Sequence, residues 1–208
     1  MSVSACSSGG DRDWTLPFTG PPEVQVDTPE LREAKERAGI EPCPAPEPDG
    51  GRTPGGDRLP EVVPECFGGG RAVDLSTLRG PRVISVWAQW CEACATEVPV
   101  LQDFHDEHGE RVPVLGIDYQ DPQADRAMDF LAAAGATYPQ LSDPAGDINA
   151  LDPIPFLNKL PLLMVIDASG RVVDRRFVVI ESVEQLEDIV SDVLPGPGPT
   201  APAGVKHQ

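Results

Sequence analysis

The sequence predicts an α/β fold in which a central mixed sheet is flanked by helices. Three observations lead to this prediction. Residues 83–88, Val-Ile-Ser-Val-Trp-Ala, form an apolar, β-branched run that is typical of a strand buried on both faces. Two cysteines with C-x-x-C spacing, Cys91 and Cys94, follow that run directly. From 96 to 108 apolar residues recur at helical spacing, so the cysteines lie at a strand-to-helix junction.

The remaining elements can be assigned on both sides of this junction. Residues 62–63 and 72–75 predict the two arms of an N-terminal hairpin joined through three consecutive glycines. After the junction, strand and helix patterns alternate. They predict a strand in 111–118, a helix over 124–134, a short strand and a partly helical loop in 137–157, an antiparallel strand pair over 162–166 and 172–179, and a last helix over 183–194.

Composition divides the chain into a tether, a domain and a tail. Residues 61–194 have the usual length of a domain that is built around a single hydrophobic core. Residues 1–60 read as a Pro/Gly-rich tether, and 195–208 as a disordered tail, because such composition buries too little apolar surface to offset chain entropy. Within the tether, Asp27-Thr28-Pro29-Glu30 predicts the start of a short helix that ends at Gly39 and needs to dock to be stable.

The charge of the chain excludes some classes of partner. The formal net charge is -18, from 34 acidic and 16 basic residues. Such a surface repels nucleic-acid phosphates and anionic lipid headgroups, so neither is expected as a partner. No apolar run in the sequence has the roughly 18 to 20 residues that span a bilayer.

The C-x-x-C pair predicts redox chemistry. Cys91 would lie at a helix N-terminus, where unpaired backbone N–H groups and the helix dipole favour a thiolate. Cys94, one turn deeper, would resolve a mixed disulfide formed on Cys91. The alternative is half of a zinc site, but His105, His108, Cys43 and Cys66 form no second paired motif. No metal site is expected.

These residues resemble the thioredoxin superfamily and, more narrowly, its TlpA/ResA-like branch of extracytoplasmic thiol-disulfide oxidoreductases. The resemblance covers residues 60–194 and rests on the run 87–94, on Glu97 and Pro99 in the following helix, and on the run 160–170. It implies a thioredoxin-like fold with an inserted strand and helix before a cis-proline.

The resemblance also implies site residues. Pro161 matches the cis-proline that faces the two cysteines, with Leu160 and Trp90 contributing to the substrate groove. Glu97 resembles the acidic residue that this branch keeps near its thiols, where it could accept the proton of Cys94. The alternative is a glutamate exposed on the helix face.

Two positions depart from the family pattern. The family usually has proline where Ala93 stands, and the residues between the cysteines help to set the redox potential. Ser85 occupies the position of the buried acid of plain thioredoxins and cannot serve as a carboxylate base. The redox potential and the proton path are therefore left open.

The function implied by the resemblance is the reduction of disulfides in exported proteins, including those of cytochrome c maturation. A membrane thiol carrier would donate electrons, no cofactor is needed, and we expect a monomer. The opposite direction, oxidation of substrate thiols, remains open.

Two alternative functions belong to other classes of protein. One is a thiol peroxidase on the same fold, and the other is a copper-binding carrier, which would use C-x-x-x-C and a downstream histidine, whereas here only His207 follows the motif helix.

Three cysteines lie outside the motif. Val3-Ser4-Ala5-Cys6 resembles a bacterial lipobox, which would anchor the protein by lipid to the outer face of the cell membrane. Only five residues precede Cys6, so the alternative is a stray cysteine in a tail.

Cys43 and Cys66 enclose 22 residues. They are predicted to form a structural disulfide, with two free thiols or a second redox pair relaying electrons to Cys91 as the alternatives.

Overall fold

The computed structural model describes residues 24–45 and 57–194. Within these ranges, six strands form one mixed sheet and four helices pack with it. The elements are α1 Pro29–Ala38, β1 Glu65–Cys66, β2 Arg82–Trp87, α2 Glu92–His108, β3 Val114–Tyr119, α3 Ala124–Ala134, β4 Gln140–Asp143, β5 Leu162–Ile166, β6 Val172–Arg176 and α4 Val183–Val193. The predicted α/β class is confirmed.

The sheet has the strand order β1-β4-β3-β2-β5-β6, which places β2 near its centre. β2 pairs in parallel with β3 and antiparallel with β5. Its side chains alternate between two cores: Val83 and Trp87 lie on one face, and Ile84 and Val86 lie on the other. The strand predicted from 83–88 is therefore buried on both faces, as expected.

The short helix α1 docks onto the domain. The Thr28 side chain accepts a hydrogen bond from the Leu31 N–H, and Gly39 ends the helix with φ 73°. Val26, Leu31 and Ile40 belong to the same core as the motif cysteines. The described part of the predicted tether therefore packs on the domain, whereas the division of the chain at residues 60 and 194 stays a prediction.

The predicted N-terminal hairpin takes a different form. The Leu75 N–H donates to the Val62 carbonyl, and the Val73 N–H donates to the Pro64 carbonyl, so the two arms are joined. Neither arm is a strand. The strand at this edge is the two-residue β1, which lies in the loop between the arms and pairs antiparallel with β4. The sheet edge is thus capped by a contact that is distant in sequence.

The later elements follow the prediction closely. α3 has the predicted bounds, and β4 is the short strand expected within 137–157. β6 ends at Arg176, three residues earlier than predicted. No helix in the described ranges is both long enough and apolar enough to cross a bilayer.

Candidate functional site: a dithiol at the start of α2

The motif cysteines form a disulfide at the N-terminus of α2. Cys91 is the N-cap of this helix, and its Sγ accepts a hydrogen bond of 3.1 Å from the Cys94 N–H. Cys91 is 7% exposed and Cys94 is fully buried. Cys91 is therefore the sulfur that a partner can reach.

The helix start favours the anionic form of a reduced Cys91. The first backbone N–H groups of a helix have no intrahelical acceptor, and the helix dipole adds a partial positive charge there. The donor that already contacts Cys91 would stabilise a thiolate at the same position. The arrangement therefore suits Cys91 as nucleophile and Cys94, which is shielded, as resolving thiol.

Pro161 lies at the same end of the central strands as the motif, next to the C-terminus of β2. The Leu160–Pro161 peptide bond is cis, and the pairing of Val86 with Leu162 places Pro161 beside the end of β2. The peptide bonds before Pro81 and Pro153 are also cis, but Pro81 precedes β2 at its opposite end and Pro153 lies in the loop between β4 and β5.

Two side chains next to these groups are open to contact. Trp90, directly before Cys91, is 54% exposed, and its Nε1 donates to the Gln120 carbonyl. Leu160 is half-buried. Leu160 packs against the core that contains the cysteines, and a substrate groove formed by Trp90 and Leu160 stays a prediction.

Glu97 is fully buried on α2, so the alternative of an exposed helix-face glutamate is wrong. It lies three residues after Cys94 and so shares a helix face with it. Neither carboxylate oxygen has a hydrogen-bond partner in the described structure. Loss of solvent raises the pKa of Glu97 to about 8. A carboxyl group with this pKa can take up and return a proton near neutral pH.

Ser85 stands on the same sheet face as Trp87, toward the core that contains both motif cysteines. It is buried, and its hydroxyl has no hydrogen-bond partner in the described structure. Since a serine hydroxyl is a poor base, Glu97, which shares a helix face with Cys94, is the candidate for exchanging a proton with it, and this role stays a prediction.

Sequence reasoning missed the residue that fixes the loop before the motif. Asp121 is buried and accepts hydrogen bonds from the Gln89 N–H at 3.0 Å and from the Gln123 N–H at 2.9 Å. It thereby joins the β2–α2 loop to the β3–α3 loop. The only local signal is an aspartate three residues before the start of α3, which predicts a turn and not this long-range contact.

A buried hydrogen bond and a ring contact, both made by Trp87, support the C-terminal end of β2. Trp87 Nε1 donates to Gln140 Oε1 at 3.0 Å, and the Trp87 ring stacks on Phe130 at 5.2 Å. Gly116 on β3 makes room, because a Cβ there would come within 1.8 Å of Gln140 Oε1. This contact holds the strand that leads into the motif.

The histidines of α2 lie at its other end. His108 is buried, and its Nε2 lies 2.8 Å from Glu187 Oε1. Glu107, His108 and Glu187 are the one cluster of potential metal-ligating side chains found in the described ranges. They do not join the cysteines in a zinc site.

Cys43 and Cys66 are joined by a disulfide that connects the segment after α1 to β1. Lys35 Nζ lies 3.1 Å from Cys66 Sγ and 3.0 Å from the Gly69 carbonyl. Cys6 lies outside the described residues, so its lipidation stays a prediction.

The fold and the site together define a thioredoxin-like protein with a C-x-x-C dithiol at a helix N-terminus. Residues 56–175 match the AhpC/TSA family, and the chain belongs to that family. The predicted membership of the thioredoxin superfamily is thereby confirmed.

Three similar proteins bear on the function. The thiol:disulfide interchange protein DsbE of Xylella fastidiosa is 42% identical over 67 residues, which are 32% of each chain. The thiol-disulfide oxidoreductase ResA of Oceanobacillus iheyensis is 25% identical over 130 residues, 59% of this chain and 62% of that protein. This chain therefore spans less than two thirds of both relatives. A secreted thiol-disulfide isomerase from Corynebacterium glutamicum has a TM-score of 0.52 at 25% identity, covering 69% of this chain and 92% of that one.

Proposed function

We propose that the protein is a thiol-disulfide oxidoreductase that reduces disulfides of exported proteins outside the cytoplasm. The observation that carries this proposal is the Cys91–Cys94 disulfide, with Cys91 as the N-cap of α2 and the cis-proline Pro161 beside the end of β2. The similarity to DsbE and ResA supports the class of reaction. The secreted neighbour supports the location.

The reaction proceeds in two exchanges. The Cys91 thiolate attacks one sulfur of the substrate disulfide, a Cys91–substrate disulfide forms, and the other substrate sulfur leaves as a thiolate. Cys94 then gives its proton to the Glu97 carboxylate, and its sulfur attacks Cys91 Sγ. The second substrate sulfur leaves as a thiolate, and each substrate thiolate takes a proton from water. The substrate gains two electrons and the Cys91–Cys94 pair loses two.

The site requires an outside source of electrons. A membrane thiol carrier is the partner that we propose for reducing the Cys91–Cys94 disulfide after each turnover. Trp90, Leu160 and Pro161 would bind the substrate backbone and its apolar side chains next to Cys91. No step in this cycle needs a cofactor, because the dithiol itself stores the two electrons.

Trapping tests the proposal. In the Cys94→Ser variant the second exchange cannot occur, so exported substrates should stay covalently bound to Cys91 and be identifiable by mass after non-reducing isolation. Cys91→Ser is the matched control and should trap little. Equal trapping by Cys91→Ser would show that the assigned order of attack is wrong. Apocytochrome c among the trapped proteins would identify cytochrome c maturation as the pathway.

Three further measurements separate the remaining roles. An oxidase would transfer the Cys91–Cys94 disulfide to reduced substrates faster than it reduces oxidised ones. A thiol peroxidase would consume peroxide in a Cys91-dependent assay. A copper carrier would bind copper stoichiometrically in its reduced form without disulfide turnover. We expect disulfide reduction to be the fastest of these activities.

Anchoring through Cys6 belongs to the same proposal. The Val3-Ser4-Ala5-Cys6 run supports a lipid at this cysteine. The protein expressed in a bacterial host would take up radiolabelled palmitate and sediment with membranes, and Cys6→Ser would do neither. Equal labelling of the two would remove the anchor from the proposal.

A further inference from the structure

Lys35 is a buried ammonium that faces a disulfide. The residue is 8% exposed, and Nζ contacts Cys66 Sγ at 3.1 Å and the Gly69 carbonyl at 3.0 Å. A disulfide sulfur is neutral and a weak acceptor, so it offsets little of the cost of burying a positive charge. Burial accordingly lowers the pKa of Lys35, against a smaller effect of the Asp27 charge.

A positively charged cleft opens beside this disulfide. Its volume is about 470 Å³, and it is lined by Cys43, Gly68, Gly69, Gly70, Ile40, Pro42, Glu36 and the three cations Arg32, Lys35 and Arg71. Asp27 forms an ion pair with Arg32, and Glu36 is a second carboxylate, so the cleft keeps a small excess of positive charge in a chain whose net charge is -18. Cys43 lines the cleft and is half-buried, whereas Cys66 is only 2% exposed. The cleft therefore gives an external molecule access to one sulfur of the disulfide.

We propose that the Cys43–Cys66 disulfide is a second reducible site, at which a small carboxylate-bearing thiol attacks Cys43 while Lys35 holds the departing Cys66 thiolate. The external thiolate forms a bond to Cys43 Sγ, the Cys43–Cys66 bond breaks, and Cys66 leaves as a thiolate beside the ammonium. A second molecule of the same thiol then displaces Cys43, which takes up a proton. Two external thiols are oxidised to one disulfide, and Cys43 and Cys66 are reduced.

Lys35 favours this reduction in both states of the pair. In the oxidised state the ammonium faces neutral sulfur, and in the reduced state it faces a thiolate of opposite charge. Removing the Lys35 charge would stabilise the oxidised pair, because no unpaired charge is buried beside it, and would destabilise the reduced pair, because its thiolate loses a counter-charge. Both effects make reduction harder.

The potential of the pair tests the role of Lys35. Full-length protein is equilibrated in buffers of defined glutathione ratio, alkylated and digested with trypsin. Digestion places Cys43 on peptide 38–52, Cys66 on peptide 59–71 and the motif cysteines on peptide 83–111. In Arg37→Gln the first peptide becomes 36–52, and in Arg71→Gln the second becomes 59–79. We expect Lys35→Gln and Lys35→Met to need a ratio of [GSH]² to [GSSG] at least about tenfold higher for half reduction, which is about 30 mV. Lys35→Arg and the exposed control Arg37→Gln should stay close to the unmutated protein.

The rate of reduction tests the cleft. Glutathione carries two carboxylates, whereas 2-mercaptoethanol is uncharged. Arg71→Gln should slow reduction of Cys43–Cys66 by glutathione about threefold, and should leave the rate with 2-mercaptoethanol unchanged, because one screened charge near the path of an anion has an effect of this order.

The outcomes are decisive in both directions. If Lys35→Gln and Lys35→Met are half-reduced in the same buffer as the unmutated protein, Lys35 does not hold the thiolate and the proposal is wrong. It is also wrong if the native protein resists glutathione at every ratio, since the disulfide is then only structural. Equal slowing by both thiols in Arg71→Gln would overturn the anionic class of the reductant. The peptide readout separates all these results from the behaviour of Cys91 and Cys94.

Discussion

Glu97 shows how burial gives a single residue an unusual proton affinity. Its carboxyl group lies on the same helix face as Cys94, has no hydrogen-bond partner in the described structure, and has a pKa raised to about 8 by loss of solvent. A neutral carboxylic acid is the stable form in such an environment. This group therefore affects both the stability of the fold and the chemistry of the dithiol.

We expect stability to fall as the pH rises from about 4.5 to about 8. The unfolded chain loses the Glu97 proton near the ordinary value of 4.5, whereas the folded protein keeps it until about 8, so the folded state binds more protons across this window. Burial also raises the pKa of Asp118 and of Asp143, so part of the decline should persist in Glu97→Gln. The variant should show a smaller decline and should exceed the unmutated protein by roughly 3–5 kcal/mol at pH 9. Urea unfolding at pH 5 and pH 9 measures it. The exposed Asp103→Asn should keep the decline, and parallel curves for Glu97→Gln would contradict the assignment.

The second expectation for Glu97 concerns rate. If Glu97 accepts the Cys94 proton, release of substrate from Cys91 should accelerate with an inflection near pH 8. Glu97→Gln should lack that inflection and should be slower by about a hundredfold above it. Rapid-mixing fluorescence on the preformed mixed disulfide records this step. An unchanged inflection in the variant would assign it to another group.

At the scale of elements, Asp121 connects two loops that meet at the dithiol. It accepts one backbone N–H from the β2–α2 loop and one from the β3–α3 loop. Asp121→Ala leaves both donors without this acceptor, and we expect a loss of about 1.5–3 kcal/mol in the free energy of unfolding and slower attack by Cys91. Denaturant titration and disulfide-reduction assays measure these losses. The exposed Asp129→Ala on α3 should change neither, and a silent Asp121→Ala would show that the motif loop holds its shape without this contact.

Two glycines separate steric from conformational effects in the same fold. A Cβ at Gly116 would overlap Gln140 Oε1 and come within 2.9 Å of Trp87 Nε1, whereas a Cβ at Gly135 meets nothing but has φ +69°. We expect Gly116→Ala to cost at least about 2–3 kcal/mol and Gly135→Ala about 1 kcal/mol. Thermal unfolding of both variants makes the comparison. Equal losses would mean that Gln140 moves aside and does not support β2.

Elements with local signals were predictable from the sequence. Thr28, Pro29 and Gly39 delimit α1, and the same kind of signal at Gly135 ends α3. The dithiol was equally accessible, because the C-x-x-C spacing and the patterns on each side of it are local.

Features made by distant contacts were not predictable. β1 has two residues and exists only because it pairs with β4, whose partners Ser142 and Leu141 follow about 75 residues later. The burial of Glu97 depends on how α2 packs against the rest of the fold, and a helical wheel does not show this. The contact between Lys35 and Cys66 is also distant, since it spans 31 positions.

At the scale of the whole molecule, the Cys43–Cys66 disulfide ties the segment containing α1 to the sheet edge. α1 has ten residues, too few to be stable alone in water, and it depends on packing of Leu31 against the core. The disulfide closes a loop with a sequence separation of 23, which restricts the unfolded chain. Such a loop contributes about 3 kcal/mol to stability.

We therefore expect the double variant Cys43→Ser, Cys66→Ser to lose about 3 kcal/mol in the free energy of unfolding and to expose α1. Hydrogen exchange of the amides in 31–40 should accelerate more than exchange in α2 or β2, because helix docking is lost before the central sheet opens. The matched control is Cys91→Ser, Cys94→Ser, which removes a disulfide of sequence separation 3. That shorter loop restricts the unfolded chain less, so the control should keep α1 protected. Uniform acceleration across the whole chain would instead mean that α1 and the sheet unfold as one unit, and that the disulfide stabilises the molecule without selectively holding its N-terminal helix.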